Sequence, residues 1–258
     1  MNWTVVFFLG LLIGEFLGKC AYRLPRHIAL FRTGSFCPSC HMYLAPYFKI
    51  PLISYMFLKG RCFYCHFPIS VRYPIIELST ALSGLALYGR FGFTGPFFFY
   101  GLFCCFLITI SLIDAELQLI PNRLIVLMLV SGLAANLLLQ VQPWSMVCLG
   151  AAMGGSVLAL VVLLSKLLGR ESLVGFGDIQ LAAAAGIFLG PTAILFAILI
   201  GFLLAGVAGL LPAFLRNPRV QASIPFVPFL AIGMIVLLLW GAYPSGWPGV
   251  AELVASVP

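Results

Sequence analysis

The chain has 258 residues, of which 62% are hydrophobic and 8% charged, with a net charge of +7. An ordinary soluble domain carries about 25% charged residues, so this composition excludes one and indicates a polytopic membrane protein. The positive charge is explained by its placement along the chain, described below, and no nucleic-acid partner is expected.

Crossing a bilayer takes roughly 20 apolar residues. That length predicts spans near residues 3–18, 73–89, 96–113, 124–141, 146–165, 179–190, 192–214 and 226–243, the sixth being short. With the N-terminus outside, thirteen of the fourteen Lys and Arg residues fall on the cytoplasmic face and only Arg90 on the other. That bias is the positive-inside pattern. The fold expected is therefore an all-α polytopic membrane protein with about eight transmembrane helices and a small cytoplasmic insertion. Its parts are an N-terminal transmembrane helix (1–19), a cysteine-rich cytoplasmic insertion (20–72) and a multi-helix membrane domain (73–258) in a lipid bilayer.

The first apolar run has no basic region before it and no small-residue cleavage pattern after it, so it reads as a retained signal anchor. Glu15 lies inside it, where a buried partner or an interfacial position is the ordinary reading and a role in the active-site cavity the functional one. The polar segment that follows holds Cys37-Pro-Ser-Cys40 and Cys62-Phe-Tyr-Cys65, with 21 residues between the pairs. Two close-spaced thiolate pairs suit tetrahedral Zn²⁺, and four cysteines leave no open position, so a structural zinc is expected on Cys37, Cys40, Cys62 and Cys65. A cytosolic location argues against disulfides. His41 and His66 follow their pairs and are alternative ligands, solvation being the ordinary reading. Cys20, Cys104, Cys105 and Cys148 read as small buried thiols.

The second span opens with Arg72-Tyr73-Pro74 and carries Glu77 one turn inside, where it either pairs with Arg72 or another cation or binds a cationic group of a substrate or cofactor. The third span closes at Asp114. Glu116, two residues on, points elsewhere on a continuous helix and reads as a solvated loop charge. Small residues at 150–155 and 182–186 predict close helix packing. Gly175-Phe176-Gly177-Asp178 opens the next run, its glycines reading as room for an extended peptide beside the carboxylate. Near the C-terminus, Ile224-Pro225-Phe226-Val227-Pro228-Phe229 predicts a helix break beside a cavity.

Asp114 and Asp178 are the two aspartates of the chain, and both stand at the edge of an apolar run on the predicted cytoplasmic face. A carboxylate entering lipid is expensive and is read by default as functional. Two facing carboxylates can share a proton around a water, which is the arrangement of an aspartyl hydrolase. All three histidines lie in the insertion, which weakens serine and zinc hydrolase readings. From spacing alone the same pair could instead relay protons or bind a cation, as in a coupled transporter.

Taken in order, Gly14-Glu-Phe-Leu17, Tyr22-Arg-Leu-Pro25, both cysteine pairs, Ile50-Pro-Leu-Ile-Ser54, Gly60-Arg-Cys62, Arg72-Tyr-Pro74 with Glu77, Asp114 with Leu119-Ile-Pro121, Gly175-Phe-Gly-Asp178 and Ile224-Pro-Phe226 resemble the type IV prepilin peptidases, a family of GxGD intramembrane aspartyl proteases. The resemblance implies Asp114 and Asp178 as the catalytic pair; from the residues themselves, Gly175, Gly177, Glu77 and Pro225 are expected to shape the substrate site. It implies prepilins or pseudopilins as partners, cut after the glycine that ends a short basic leader, at the cytoplasmic side of a bacterial cytoplasmic (inner) membrane. Many such enzymes also methylate the new N-terminus with S-adenosylmethionine, and the cysteine-bearing insertion resembles that of the bifunctional ones. Gln180 stands where the family usually has lysine, Val227 where it often has glycine, Phe48 where an aspartate is common and Gly18 where an asparagine is common. Asn122-Arg123 is more similar to the competence and Gram-positive peptidases, so a competence pseudopilin is the expected substrate.

Overall fold

A computed structural model describes residues 3–29, 37, 39–40, 42–43, 51–169, 174–214 and 225–240. His41, Phe48, Ile50 and Ile224, together with Arg32, Lys49, Arg170, Arg216 and Arg219 of the charge count, lie outside the described residues. Eight helices follow one another: α1 (Trp3–Arg23), α2 (Ile53–Phe57), α3 (Arg72–Phe91), α4 (Gly95–Leu117), α5 (Asn122–Leu139), α6 (Trp144–Leu167), α7 (Phe176–Phe214) and α8 (Val227–Trp240). Among the described residues no strand forms, and Arg61 and Pro68 make an isolated antiparallel bridge.

The all-helical membrane architecture agrees with expectation, but the eight helices are not the eight predicted spans. Five helices, α1, α4, α5, α6 and α7, are long and apolar enough to cross a bilayer. The predicted second span is α3, a 20-residue helix whose mean hydropathy is lowered by Arg72, Glu77 and Arg90. The predicted sixth and seventh spans are two arms of α7, which bends at Gly190. Gly190 adopts φ 77°, ψ 175°, a backbone state open to glycine, and it precedes Pro191, which disfavours helix at the residue before it. The first arm, residues 176–189, is about 21 Å long at 1.5 Å per residue, well short of the roughly 30 Å hydrocarbon core.

A bent backbone at that depth must be satisfied by protein, since lipid cannot do it. The α5–α6 turn does so. Gln140 ends α5 in the left-handed conformation at φ 48°. Asn136 and Gln142 are both buried, and the Asn136 side chain pairs with the Gln142 backbone, its Nδ2 donating to the Gln142 carbonyl at 3.0 Å and its Oδ1 accepting the Gln142 N–H at 2.8 Å. The Gln142 Nε2 in turn donates to the Phe188 carbonyl just before the bend.

Small residues set the helix spacing. A methyl on Gly150 would overlap the Gly186 carbonyl, and one on Gly154 would overlap that of Ala182, so α6 and the first arm of α7 touch backbone to backbone. Gly10 and Gly14 of α1 meet α3 at Ala81 and Glu77 in the same way. Such stripes substitute for the hydrophobic drive that lipid removes. Phe188 fills the centre, its ring 4.8 Å from both Phe99 and Phe103 of α4 and packed over Gly132 of α5. On the far side of the bundle, α8 crosses the second arm of α7, with Gly201 against Leu230 and Gly233 against the Ala197 carbonyl.

Gly186→Leu is therefore expected to destabilise by about 3 kcal/mol or more, the upper end of overpacking costs, read as a lower Tm in detergent or nanodiscs. Gly206→Leu on the same helix has open space around its Cα and should leave Tm nearly unchanged.

Candidate active site

Asp114 lies in the last turn of α4. Gln118 closes that helix in the left-handed conformation at φ 51°, returning its N–H to the Asp114 carbonyl at 2.9 Å. The carboxylate is buried, and its Oδ2 accepts the Val227 N–H at 3.1 Å. Val227 is the first residue of α8, where N–H groups have no helical partner and the helix dipole favours negative charge. Pro225 and Pro228 flank it and fit a helix start, Pro228 because its missing N–H is not needed in the first turn. The predicted helix break thus delivers a backbone donor to Asp114, a role that the proline pattern alone does not disclose.

Asp178 is the third residue of α7 and is also buried. Its Oδ2 accepts the Gly175 N–H at 2.7 Å while its own N–H donates to the Gly175 carbonyl at 3.2 Å. This is the acidic half of a capping box, with Gly175 in the N-cap position. The two glycines differ in use. A methyl on Gly177 would press on the Ile120 side chain at 3.1–3.2 Å, so its space is filled by the α4–α5 turn and not left for a peptide. Gly175 is exposed, and a methyl there would make only an ordinary 3.6 Å contact with Asp178 Oδ2.

The Ile120–Gly177 contact draws the end of α4 to the start of α7. It brings Asp114 within electrostatic reach of Asp178, although 64 residues separate them in the chain. Neither carboxylate belongs to an ion pair among the described residues. One Oδ1 on each side has no protein donor among those residues, so the pair is held by backbone and left open on its other oxygens.

Glu77 and Glu116 depart from the sequence reading. Glu77 is buried but does not pair with Arg72; its Oε2 accepts the Leu52 N–H of the insertion at 2.8 Å. It lines a cavity that includes neither aspartate, so the structure does not bring it to the carboxylate pair. Glu116 is no solvated loop charge. It bonds Arg26 at 2.8 Å and Arg72 at 3.3 Å, tying the end of α4 to the end of α1 and the start of α3. Glu15 forms an i,i+4 pair with Lys19 at 2.7 Å and also borders the cavity.

In the insertion, the four sulfurs of Cys37, Cys40, Cys62 and Cys65 lie within 4.8 Å of one another, with Cys37 and Cys65 3.7 Å apart. Tetrahedral Zn–S bonds of about 2.3 Å place sulfurs about 3.8 Å apart, so the set fits a closed zinc site. Burial raises the Cys37 thiol, but N–H groups of Cys40 and Ser39 and the neighbouring thiols outweigh it and bring it down to about 7. His66 stands outside the cluster and serves as backbone, turning the second knuckle at φ 55°. Of the other cysteines, Cys20 and Cys104 are buried as expected, whereas Cys148 is exposed on α6.

Residues 8–91 match the bacterial peptidase A24 N-terminal domain, and residues 101–210 match the type IV leader peptidase family. The chain belongs to the type IV leader peptidase family. A prepilin leader peptidase/N-methyltransferase of Bacillus subtilis (strain 168) is 35% identical over 242 residues, covering 92% of this chain and 94% of the relative. Proteins of the same name from Pseudomonas aeruginosa and Aeromonas hydrophila are 34% and 32% identical, covering 90% and 96% of this chain and 88% and 93% of their own lengths. No solved structure matches the chain. The first family segment ends on α3 and the second runs from α4 into α7, so the two aspartates fall together in the second.

Gly177→Val is expected to cost about 1–3 kcal/mol by forcing Ile120 away, whereas Gly175→Ala should melt as the wild type does. Elemental analysis should find one zinc per chain, with X-ray absorption showing four sulfurs at about 2.3 Å, and Cys62→Ser should lose the metal. Metal-free protein with an unchanged melting curve would contradict the zinc assignment.

Proposed function

We propose that this chain is a membrane aspartyl endopeptidase that removes the leader of prepilins or pseudopilins and methylates the new N-terminus. Asp114 and Asp178 are the catalytic pair. The observation that carries the reading is a pair of buried carboxylates at adjoining helix ends, held by backbone N–H groups, without a cation among the described residues. Family membership and the names of the relatives support the substrate class. They offer nothing for an ion-coupled transporter.

The Val227 N–H holds Asp114 Oδ2 and the Gly175 N–H holds Asp178 Oδ2, which leaves the two Oδ1 atoms to share a water and a proton. One carboxylate takes a proton from the water as its oxygen attacks the scissile carbonyl carbon. The other, protonated, donates to the carbonyl oxygen. Collapse of the tetrahedral intermediate breaks the C–N bond, and the leaving nitrogen takes the proton first removed from water. Burial strengthens each of these interactions by excluding bulk solvent.

The Cys37, Cys40, Cys62 and Cys65 sulfurs would hold a structural zinc, organising the insertion at 20–72 without entering the reaction. S-adenosylmethionine would supply the methyl group. The basic residues near the aspartate-bearing helix ends support an active site facing the cytoplasm of a bacterial inner membrane, with a competence pseudopilin as substrate.

Asp114→Asn and Asp178→Asn should each lower cleavage of a pseudopilin precursor by at least about 10²-fold in membranes, read by gel shift. Mass spectrometry of the product should show a cut after the leader glycine and one added methyl group. Full cleavage by either variant would overturn the assignment.

A further inference from the structure

Between Glu15 and Glu77 the sequence holds eight Lys and Arg residues and no Asp or Glu. Within that stretch, α2 has two different faces. Ser54 and Tyr55 turn inward to the cavity that Glu77, Leu112 and Glu116 also line. Ile53, Met56 and Phe57, at i, i+3 and i+4, form the other face and are exposed, Met56 by 75% and Phe57 by 82%. An open apolar face of this kind, rimmed by polar and basic groups, marks a surface that something covers.

The depth of α2 identifies what covers it. The Leu52 N–H, just before α2, bonds Glu77. Glu77 is five residues inside α3 from Arg72 and packs on Gly14, which is nine residues inside α1 from Arg23. At 1.5 Å per residue these are about 8 Å and about 14 Å. A bilayer of roughly 40–45 Å with a core of about 30 Å has headgroup layers only about 5–8 Å thick, so α2 begins where headgroups meet acyl chains. Its outward face therefore lies against lipid.

Charge selects the lipid. The chain leaves α2 through a Schellman turn, in which the Gly60 N–H donates to the Tyr55 carbonyl at 2.9 Å and the Lys59 N–H to the Met56 carbonyl at 3.2 Å. Lys59 occupies the left-handed position of that turn at φ 49°, where glycine is usual and costs less. Beside the turn is a concavity of about 430 Å³, lined by Lys59, Arg61 and His66 with the rings of Phe57 and Phe63. No acidic residue lines it, and neither Lys59 nor Arg61 has an ion pair among the described residues. Two cations over an aromatic rim suit a phosphate whose attached chains continue into the bilayer. A basic prepilin leader would be repelled by the same charges.

We propose that this face of the insertion is an anionic-phospholipid site, with Met56 and Phe57 among the acyl chains and Lys59 and Arg61 on the headgroup phosphate. Bound lipid braces α2 from the outside, opposite the wall formed by Ser54 and Tyr55. The site does not depend on the reaction proposed above.

The test places the full chain in phosphatidylcholine nanodiscs that contain increasing amounts of phosphatidylglycerol bearing a photoreactive group near its glycerol. Crosslinks on the wild type should map to residues 53–67, and unlabelled phosphatidylglycerol should suppress them where added phosphatidylcholine does not. Lys59→Gly, which suits the left-handed turn, and Arg61→Gln should each lower the apparent affinity about fivefold, the effect of one basic charge at an anionic surface. The Tm and zinc content of Lys59→Gly should match the wild type, which separates lipid binding from folding. A phosphatidylcholine probe with the same photoreactive group that crosslinks residues 53–67 equally well would overturn the site, whatever any variant's folding. Undiminished crosslinking in both variants would overturn it too. Suppression by water-soluble glycerol phosphate as effective as that by phosphatidylglycerol would assign the concavity to free phosphate, and suppression by a pseudopilin precursor would assign it to substrate; either result overturns the lipid site.

Discussion

Two carboxylates sit in an apolar helical bundle without a neutralising cation among the described residues, and the backbone supplies what holds them. A free N–H at the start of α8 bonds Asp114, and the N–H of Gly175 bonds Asp178. Both donors exist because helix N-termini leave N–H groups without intrahelical partners. An arginine or lysine in their place would fix both carboxylates as anions and remove the shared proton that hydrolysis needs. Backbone donors orient the groups with a fraction of that charge, so position and reactivity are compatible.

That arrangement requires three chain segments to converge, and the convergence depends on missing side chains. Ile120 reaches α7 because Gly177 has no Cβ to obstruct it. The first arm of α7 stays beside α6 because Gly150, Gly154 and Gly186 let two backbones touch. The bend at Gly190 then turns the second arm toward α8, whose first residue returns to Asp114. The bend exposes backbone at membrane depth, and the Asn136–Gln142 pair covers it from the turn between α5 and α6. Satisfied backbone at one end of the bundle and a built carboxylate site at the other are thus linked through one short helical arm.

The insertion is joined to the same helix end by charge. Glu116 gathers Arg26 and Arg72, and Glu77 holds the Leu52 N–H, so α1, α3, α4 and the cysteine-bearing segment meet near the aspartate-bearing turn. Half-buried pairs of this kind contribute little stability singly. Their effect here is positional, because they set the walls of a polar cavity against the opposite side of α4 from the carboxylate pair.

Much was legible along the chain because it depended on spacing or composition: the membrane class, the four cysteines, the aspartates as an isolated pair, the tight packing at 150–155 and 182–186. The resemblance to prepilin peptidases was legible for the same reason, as an ordered set of local motifs. Properties that depend on which groups meet in space were not. Nothing in the string shows Ile120 filling the space at Gly177, a backbone N–H of α8 reaching Asp114, or Glu116 collecting two arginines. Hydropathy separated the two arms of α7 close to the non-helical Gly190, but a sliding window registers apolar length and cannot register how the second arm is angled there. The sequence by itself determined which carboxylates are chemically exceptional, because their rarity in apolar surroundings is a one-dimensional fact. Only the tertiary structure decided what holds them and what Glu77 faces, because hydrogen bonds and cavities are made by segments that distance along the chain keeps apart.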